Sequence, residues 1–494
     1  MRGTTLSYRS HWSERRQPWL LIAPLVCWIL MAGILAGDSV PAASSVPGPI
    51  SWSPCPKAAG YLCGTLGVPI DYGDPSRGSI RLSVIEHPVP NSRGVIAFNP
   101  GGPGESGVLI LPVLASLVPS TIRSEFTLVS FDERGTGSSE PLLCGPSPER
   151  AASAVAGTAT ATQTFAGLDQ SCRSGSPGLF PTVDTTTSAR DMNSFRLALG
   201  VNRLNYYGVS YGTVLGSVYR QLYPTHVGAT VLDGAVDANL SLSADATLEA
   251  PAIQNALAHV LDNCPTIPGC TLGPNARNFY ERLSAQLSRT PLPAPGNGDD
   301  VPVTAGDLMT ATLLYLSAPL FTPGYFPALE AAAQGDGTPL RSVARGLETD
   351  LNGSSLVGAL WSITCNDAAE HPSAAATASL AQRLASRYPL GGAEAVANNL
   401  IGCPGWRGST GPVAHLSVIR RQPPLVIGNT GDPNTPYAAA HLLAAAVGGR
   451  LVTYVGYGHS WLLNGYSNTC MQRIVSTYFV RGVLPTNHTT CAAA

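Results

Sequence analysis

The chain of 494 residues contains almost no lysine, since Lys57 is the only one. Its positive charge comes from scattered arginines, its formal net charge is −2, and it has no basic block that could grip a phosphate backbone. Charged residues make up 12% of the chain and apolar residues 44%, which excludes a disordered chain. We therefore expect no nucleic-acid partner. The length favours one large domain with an insertion, or two domains.

The sequence also lacks the usual patterns of metal ligands. It has no tight C-x-x-C pair and its nine histidines are dispersed, so we expect neither a zinc site nor a cofactor. Of the eleven cysteines, Cys27 lies inside an apolar run, and the other ten form an even number, as disulfides in an exported protein would require. Sequence cannot fix their connectivity. We favour pairing between neighbours along the chain, which closes short loops: Cys55–Cys63, Cys144–Cys172, Cys264–Cys270, Cys365–Cys403 and Cys470–Cys491.

The N-terminus has the layout of an export signal. Four arginines precede the uncharged run at residues 19–37, and the small and polar residues "DSVPAASS" follow it. The run is also long enough to span a bilayer, which takes about 20 residues. Residues 1–45 are therefore predicted to be a signal peptide or an uncleaved membrane anchor. The protein is expected to be secreted or in the cell envelope, where an anchor would associate it with the membrane or cell wall.

Buried strands alternate with helices over most of the chain. Apolar runs ending in Gly, Asp or Ser predict parallel strands, and helix-like segments separate them, which together indicate a doubly wound, mostly parallel α/β sheet. An Ala- and Leu-rich helical stretch interrupts this rhythm and predicts an inserted cap at residues 240–420, between two parts of the core at residues 46–239 and 421–494. The predicted strands cover residues 79–87, 94–101, 126–135, 204–210, 228–234, 423–432 and 449–460.

A serine lies between a predicted strand and a predicted helix in "NYYGVSYGTVLG". In a G-x-S-x-G segment the glycines permit a tight strand-to-helix turn that exposes the hydroxyl above the sheet. Matches of five residues also arise by chance in a long, glycine-rich chain. Ser210 is therefore a candidate nucleophile that needs support from the rest of the sequence.

That support comes from Asp432 and His459. A serine nucleophile needs a base and a carboxylate that orients it, in the chain order Ser, Asp, His on a sheet of this kind. Each of the two residues closes a predicted strand, and the segment between them accommodates one helix, at residues 435–449. An isolated Asp in such a turn is more often a turn former, and an isolated His a surface residue. We predict the triad Ser210, Asp432 and His459.

The loop "NPGGPGESG" and its neighbour "FDERGTGSS" follow two further strands. The backbone N–H groups of Gly102 (or Gly101) and Tyr211 are predicted to bind the oxyanion of an acyl-transfer reaction, although a plain turn is the alternative for the loop. Asp132 and Arg134 could pair with each other and brace this loop.

Thr435 has two interpretations. It could hydrogen-bond near the acid or cap the next helix, and we favour the cap.

Seven motifs resemble, in their order, the exported tripeptidyl aminopeptidases, which are α/β-hydrolase serine peptidases related to proline iminopeptidase. They are "NPGGPGESG", "FDERGTGSS", "YYGVSYGT", "VLDGAVD", "ITCNDA", "GNTGDPNTP" and "GYGHS", and the match extends from about residue 50 to the C-terminus. The resemblance implies nucleophile Ser210, acid Asp432, base His459 and a helical cap restricting access to the ends of peptides. Glu105 departs from the family, which has a small residue there. Because an aminopeptidase must hold a free amino terminus, Glu105 could bind that group, or it could be a solvated loop residue. Four more residues are candidates for contacting the amine: Asp237, Asn366, Asp367 and Glu370.

Three functions are consistent with this sequence. The first is an exported serine aminopeptidase that releases short peptides, of the tripeptidyl type, through an acyl-enzyme. The second is a carboxylesterase or lipase of the cell envelope with the same triad, and the third is a catalytically silent surface-binding protein. The expected partners are peptide substrates with a free N-terminus or small esters.

Overall fold

The computed structural model describes residues 48–294, 301–351, 355–408, 413 and 415–493. The predicted signal or anchor at residues 1–45, including Cys27, lies outside the described residues. Within the described part of the chain, every helix is too short or too polar to cross a bilayer.

Ten strands form one sheet in the order β1-β2-β3-β5-β4-β6-β7-β8-β9-β10. The pairings from β5 across to β10 are parallel, and those among β1, β2, β3 and β5 are antiparallel. The predicted doubly wound, mostly parallel sheet is therefore confirmed. The strands are β1 Ser53–Pro54, β2 Leu62–Pro69, β3 Ser79–His87, β4 Val95–Asn99, β5 Thr127–Phe131, β6 Leu204–Val209, β7 Val227–Asp233, β8 Leu425–Gly431, β9 Arg450–Tyr457 and β10 Thr489–Ala492.

The central strands are mostly apolar because both faces of the sheet are covered. In β4, Ala97 packs into one buried cluster, whereas Ile96 and Phe98 pack into the cluster on the other face. Tyr206 and Tyr207 of β6 divide between the faces in the same way. This alternation with a period of two is what a strand geometry imposes on side chains, so each strand is held from both sides.

Helices cover the two faces, with α6, α7 and α16 on one face and α1 and α18 on the other. The α-helices are α1 Gly107–Leu117, α2 Ser120–Glu125, α3 Pro148–Ala152, α4 Ala159–Thr164, α5 Leu168–Gly175, α6 Thr185–Ala198, α7 Gly212–Leu222, α8 Leu242–Asp262, α9 Ala276–Arg289, α10 Ala305–Ser317, α11 Tyr325–Ala333, α12 Thr338–Leu351, α13 Ser355–Asp367, α14 Ala374–Arg387, α15 Gly392–Leu400, α16 Tyr437–Val447, α17 Trp461–Asn464 and α18 Thr469–Arg481.

Helices α8 to α15 lie between β7 and β8 in the chain, and several of them enclose an apolar core of their own. Helices α3 to α5, from the segment predicted as core at residues 46–239, pack on them. Ser153 Oγ donates to Asp307 Oδ2 at 2.7 Å, and the rings of Phe165 and Trp361 meet edge to face at 5.7 Å. The helical layer above the sheet is thus built from two segments of the chain.

Three strands fall where the sequence predicts none. The segment at residues 46–66 is expected to be irregular, yet it contains the two-residue β1 and the start of β2, at Leu62. Only Leu66 and Val68 of β2 are buried, so its alternating pattern is short, and two glycines interrupt it. At the other end of the chain, the four-residue β10 pairs in parallel with β9.

The five predicted disulfides are all confirmed, and they fit an extracellular protein. The pairs are Cys55–Cys63, Cys144–Cys172, Cys264–Cys270, Cys365–Cys403 and Cys470–Cys491.

Reduction of these disulfides is expected to lower the melting temperature. The bond between Cys365 and Cys403 spans 38 residues, and closing a loop of that size in the unfolded chain stabilises the fold by about 4 kcal/mol in the chain-entropy model. The bond between Cys264 and Cys270 spans 6 residues and contributes about 2 kcal/mol in the same model. Thermal unfolding of the paired serine variants should show the larger loss for Cys365 and Cys403. An unchanged melting temperature in dithiothreitol would contradict the prediction.

Candidate active site

The turn between β6 and α7 has the backbone that the G-x-S-x-G motif predicts. Ser210 lies in the left-handed region at φ 56°, which is unusual for a residue other than glycine. A Cβ atom on Gly208 would lie 2.3 Å from the carbonyl oxygen of Gly212, and one on Gly212 would lie 2.8 Å from the carbonyl oxygen of Asn99. The two glycines are thus required by close backbone contacts, and the serine occupies a strained turn at the carboxyl edge of the sheet.

Asp233, at the end of β7, connects the serine turn to the loop that carries His459. Its carbonyl oxygen accepts the N–H of Ser210 at 2.9 Å. Its carboxylate accepts the N–H groups of Trp461 at 2.8 Å and Leu462 at 2.9 Å. Burial raises the pKa of Asp233 to about 6. One buried residue therefore positions both segments.

Asp432 and His459 are in direct contact. The Nδ1 atom of His459 lies 3.0 Å from Oδ1 and 3.1 Å from Oδ2 of Asp432. The same carboxylate also accepts the N–H of Asn434 at 3.0 Å and the N–H of Ser460 at 3.0 Å. With both oxygens occupied by donors, the carboxylate is fixed in position and orients the imidazole.

Thr435 belongs to this arrangement. Its hydroxyl donates to Asp432 Oδ2 at 2.9 Å and lies 3.2 Å from His459 Nδ1. Helix α16 begins at Tyr437, and its cap residue is Pro436, which has no side-chain capping bond. The favoured interpretation of Thr435 as a helix cap is therefore wrong, and the alternative, a hydrogen bond to the acid, is the one observed.

Two opposing influences act on the imidazole of His459. Burial alone lowers its pKa, but the carboxylate of Asp432, with smaller contributions from Asp233 and Glu105, raises the pKa above the ordinary histidine value. The backbone N–H of His459 donates to the carbonyl oxygen of Ser317, at the end of α10, at 2.9 Å. The helical layer therefore braces the histidine loop directly.

The hydroxyl of Ser210 stands apart from this pair. Its Oγ atom makes no hydrogen bond to His459 or to any other described residue. Hydrogen bonds between a nucleophile and its base are often long without substrate and tighten in the substrate complex. The structure thus brings Asp432 and His459 together and places Ser210 on the neighbouring turn.

The predicted oxyanion donors differ in availability. The N–H of Gly101 donates to Asn99 Oδ1 at 3.0 Å and is occupied. The N–H groups of Gly102 and Tyr211 make no hydrogen bond within the described part of the chain, and both residues line the cavity beside Ser210. Of the two glycines, only Gly102 retains a free donor.

The predicted pairing of Asp132 with Arg134 is wrong. Arg134 Nη2 lies 2.7 Å from Asp191 Oδ1, and both side chains are fully buried. Asp132 instead accepts the hydroxyl of Ser106 at 2.6 Å and the N–H of Ser138 at 2.9 Å. Asp132 therefore does brace the glycine-rich loop, through Ser106, while the arginine holds a helix.

The candidate amine-binding residues separate into two groups. Glu105 lies near enough to His459 for their charges to interact, and burial raises the pKa of Glu105 to about 7. Asp367 lines the cavity. The other three bind backbone groups and do not line it: Asn366 donates to the carbonyl oxygens of Phe180 and Val183, Glu370 accepts the N–H of Ser243, and Asp237 accepts the N–H of Asn239.

A cavity of about 810 Å³ lies over Ser210, lined largely by apolar side chains of the helical layer. Asp245 and Glu249 of α8 and Glu394 of α15 also line it, and no Lys or Arg is among its described lining residues. Burial raises the pKa of Asp245 and of Glu394 to about 7 and raises the pKa of Glu249 well above its usual range. These carboxylates are absent from the sequence-based site. In the sequence, the only pattern that links any of them is the spacing of four residues between Asp245 and Glu249, which places these two on one face of a helix.

Comparisons with known proteins agree with this arrangement. A sequence model described as TAP-like protein matches residues 388–491. Carboxylesterase B of Mycobacterium tuberculosis is 31% identical over 97% of this chain and 99% of its own length. Serine protease Hip1 of the same species is 27% identical over 99% of this chain and 100% of its own. Tripeptidyl aminopeptidase of Streptomyces lividans is 27% identical over 92% of this chain and 89% of its own.

All three relatives align along nearly the whole chain, and the enzyme is accordingly a serine hydrolase with peptidase-like relatives. The likeness at 31% identity covers the sheet, the inserted helices and the C-terminal segment together. The chain belongs to the TAP-like family of α/β hydrolases.

Proposed function

We propose that the protein is an exported serine aminopeptidase that releases short peptides, of the tripeptidyl type, from free N-termini. In this proposal Ser210 is the nucleophile, His459 the general base and Asp432 the carboxylate that orients it. The N–H groups of Gly102 and Tyr211 stabilise the oxyanion. The five disulfides and the signal-like N-terminus support export, and an uncleaved N-terminus would attach the enzyme to the membrane or cell wall.

The reaction follows from these roles. Ser210 Oγ attacks the scissile carbonyl carbon while His459 Nε2 takes its proton, and Asp432 holds the Nδ1–H tautomer and stabilises the imidazolium. The tetrahedral oxyanion lies against the two backbone donors. His459 then gives the proton to the leaving amine. A water molecule, activated by the same imidazole, hydrolyses the acyl-enzyme and frees the short peptide.

The observation that carries the peptidase assignment is the set of carboxylates in the cavity, whose described lining residues include no Lys or Arg. Buried carboxylates without a cation are costly, and a positively charged ligand offsets that cost. The ammonium group of a peptide N-terminus supplies this charge, whereas a neutral ester does not. Asp245, Glu249 and Glu394 are therefore proposed to bind the substrate amine, together with Asp367 and Glu105.

A carboxylesterase is the second candidate. The relative at 31% identity is named a carboxylesterase, and most of the cavity wall is apolar, which suits an acyl chain. Peptidase and esterase share the acyl-enzyme, so the triad does not distinguish them. The charge of the substrate does.

The test compares a free tripeptide substrate with its N-acetylated form. Because acetylation removes one partner of a buried charge pair, we expect kcat/KM to fall by a factor on the order of 100, the scale of the 2–5 kcal/mol lost when such a pair is broken. In a Glu249→Gln, Glu394→Gln double variant the advantage of the free amine should shrink, while cleavage of the acetylated peptide is unchanged.

Glu281→Gln is the matched control, since Glu281 is an exposed carboxylate on α9 outside the cavity. It should leave the preference for the free amine intact. Equal rates on free and acetylated peptides would refute the aminopeptidase assignment. Faster turnover of short-chain esters than of either peptide would favour the esterase.

A further inference from the structure

Four side chains, of which Asp367 is partly exposed to the cavity and the other three are buried, form a chain of hydrogen bonds from the cavity wall to the turn of the proposed nucleophile. Asp367 Oδ2 lies 2.5 Å from Thr185 Oγ1, and Thr185 Oγ1 lies 2.6 Å from the hydroxyl oxygen of Tyr211. That hydroxyl lies 3.2 Å from Glu133 Oε2. The Thr185 and Glu133 side chains are almost completely inaccessible to solvent. The chain thus runs carboxyl, hydroxyl, hydroxyl, carboxyl.

The remaining carboxyl oxygens are already occupied by N–H donors. Asp367 Oδ1 accepts the backbone N–H of Thr185 at 3.0 Å. Glu133 Oε1 accepts Nδ2 of Asn99 at 2.9 Å. These bonds fix which oxygen of each carboxyl group faces the chain.

The three oxygen–oxygen contacts of this hydrogen-bonded chain determine how many protons it holds. Each oxygen–oxygen link needs one proton, because two oxygens at these distances repel unless a hydrogen lies between them. The hydroxyls of Thr185 and Tyr211 supply only two. The third proton must come from Glu133 or from Asp367, so one of these carboxyl groups is protonated while the other is free to be ionised.

We propose that Glu133 and Asp367 share this single proton and together carry one negative charge. When Asp367 is ionised, Glu133 donates to Tyr211, Tyr211 donates to Thr185, and Thr185 donates to Asp367. When Glu133 is ionised, all three links reverse. In the exchange each hydroxyl gains one proton and loses one, so the net change is one proton moved between the two carboxyl groups.

The charges around Glu133 are consistent with this arrangement. Asp191 lies nearby, but the guanidinium of Arg134 is bonded to both of its oxygens, so that charge is neutralised. The phenol of Tyr206 also interacts with Glu133, and burial keeps the pKa of this phenol well above the ordinary value. Burial raises the pKa of Glu133 to about 7 even though Asn99 donates to it.

The surroundings of Asp367 also favour its protonated form. Burial raises the pKa of Asp367 well above its usual range, and the carboxylate of Asp184 and that of Glu133 add to the effect. Asp184 caps α6 by accepting the N–H of Thr187 at 2.7 Å. Two carboxyl groups in so enclosed a polar chain therefore do not ionise together.

The catalytic consequence rests on the proposed function. Glu133 holds Tyr211 and, through Asn99 and the N–H of Gly101, the loop that carries Gly102, so it is a positioning residue for both proposed oxyanion donors. An ammonium group in the cavity would favour the ionised form of Asp367. The proton would then lie on Glu133, behind the oxyanion site.

The sharing is tested by the infrared band of protonated carboxyl groups in Glu133→Gln, Asp367→Asn and the double variant. Either amide supplies a permanent N–H donor to its end of the chain, so the opposite carboxyl group should ionise. We expect each single variant to lose the intensity of one protonated carboxyl relative to the wild type, and the double variant to lose the same amount. The other buried carboxyl groups contribute equally to all four spectra.

Other results would overturn the proposal. If Glu133 and Asp367 were each protonated independently, the double variant would lose twice the infrared intensity that each single variant loses. If the proton were fixed on one residue, only one of the single variants would lose intensity. If both groups were ionised, none of the variants would lose intensity. Tyr211→Phe is the control, because it removes the phenol hydroxyl that connects Thr185 to Glu133. In that background the losses of infrared intensity caused by Glu133→Gln and Asp367→Asn should be additive. This spectroscopic readout needs no substrate, so it stands or fails separately from the aminopeptidase assignment. If that assignment also holds, Asp367→Asn should raise KM for free peptides more than Glu133→Gln does.

Discussion

Ser210→Ala should lower kcat by about 10⁶-fold, the scale of the loss when the nucleophile of a serine protease is removed. Without its Oγ atom no acyl-enzyme can form, and only binding and the backbone oxyanion donors remain. The fold should persist, because the hydroxyl makes no hydrogen bond to any described residue and alanine can adopt the same turn at a similar strain. A fluorophosphonate probe, peptide turnover and the melting temperature together measure these effects.

The matched control for this variant is Ser217→Ala, on the helix that follows the turn. The Ser217 hydroxyl is buried and donates to the carbonyl oxygen of Thr213 within α7 at 2.7 Å, away from the cavity wall. This variant should keep both probe labelling and turnover. Undiminished turnover by Ser210→Ala, or wild-type labelling at a different serine, would refute the assignment of the nucleophile.

The sheet and the order of the candidate residues could be predicted because each depends on local patterns. A buried parallel strand is a continuous apolar run, so the segments at residues 94–101, 204–210 and 423–432 agree with β4, β6 and β8 to within two residues. The carboxyl ends of parallel strands meet at one edge of the sheet. Residues closing three such strands, Ser210, Asp432 and His459, therefore lie on neighbouring loops at that edge.

Pairings between distant segments could not be predicted in this way. Asp132 and Arg134 are close in sequence, yet the arginine pairs with Asp191, 57 residues away. The partner is decided by how α6 packs on the sheet, which no local pattern encodes. The shared-proton chain escapes prediction for the same reason, since Glu133 and Asp367 lie in the core and in the inserted helices.

The cavity carboxylates show a further limit of sequence reasoning. A charged residue on a helix is ordinarily a solvated one, and Asp245, Glu249 and Glu394 become significant only once α8 and α15 pack against each other over the sheet. Their spacing suggests a shared helix face but not which side is buried. The acidic character of the cavity is therefore a property of the packed cap, whereas the triad order is a property of the chain.

Asp432→Asn should lower kcat by about 10⁴-fold, as loss of the orienting carboxylate does in serine proteases. Both oxygens of Asp432 accept hydrogen bonds, from backbone N–H groups that include those of Asn434 and Ser460, so an amide nitrogen on either side would face a donor. An amide N–H directed at His459 Nδ1 would also stabilise the tautomer protonated on Nε2, which cannot take a proton from Ser210. The amide lacks the charge that raises the pKa of His459, so the acidic limb of the kcat/KM profile should move to lower pH.

Thr435→Ser is the control that distinguishes a role of Asp432 in orienting His459 from a role in stabilising the turn at residues 432–435. It keeps the hydroxyl that donates to Asp432 and lies beside His459, so its activity and pH profile should stay close to those of the wild type. Asp432→Asn should then differ from Thr435→Ser in both rate and acidic limb, and the shift of that limb reports the lost charge separately from any loss of stability. If Asp432→Asn kept kcat within tenfold of the wild type and the limb did not move, Asp432 would be a turn former, and the base would have to be oriented by another carboxylate.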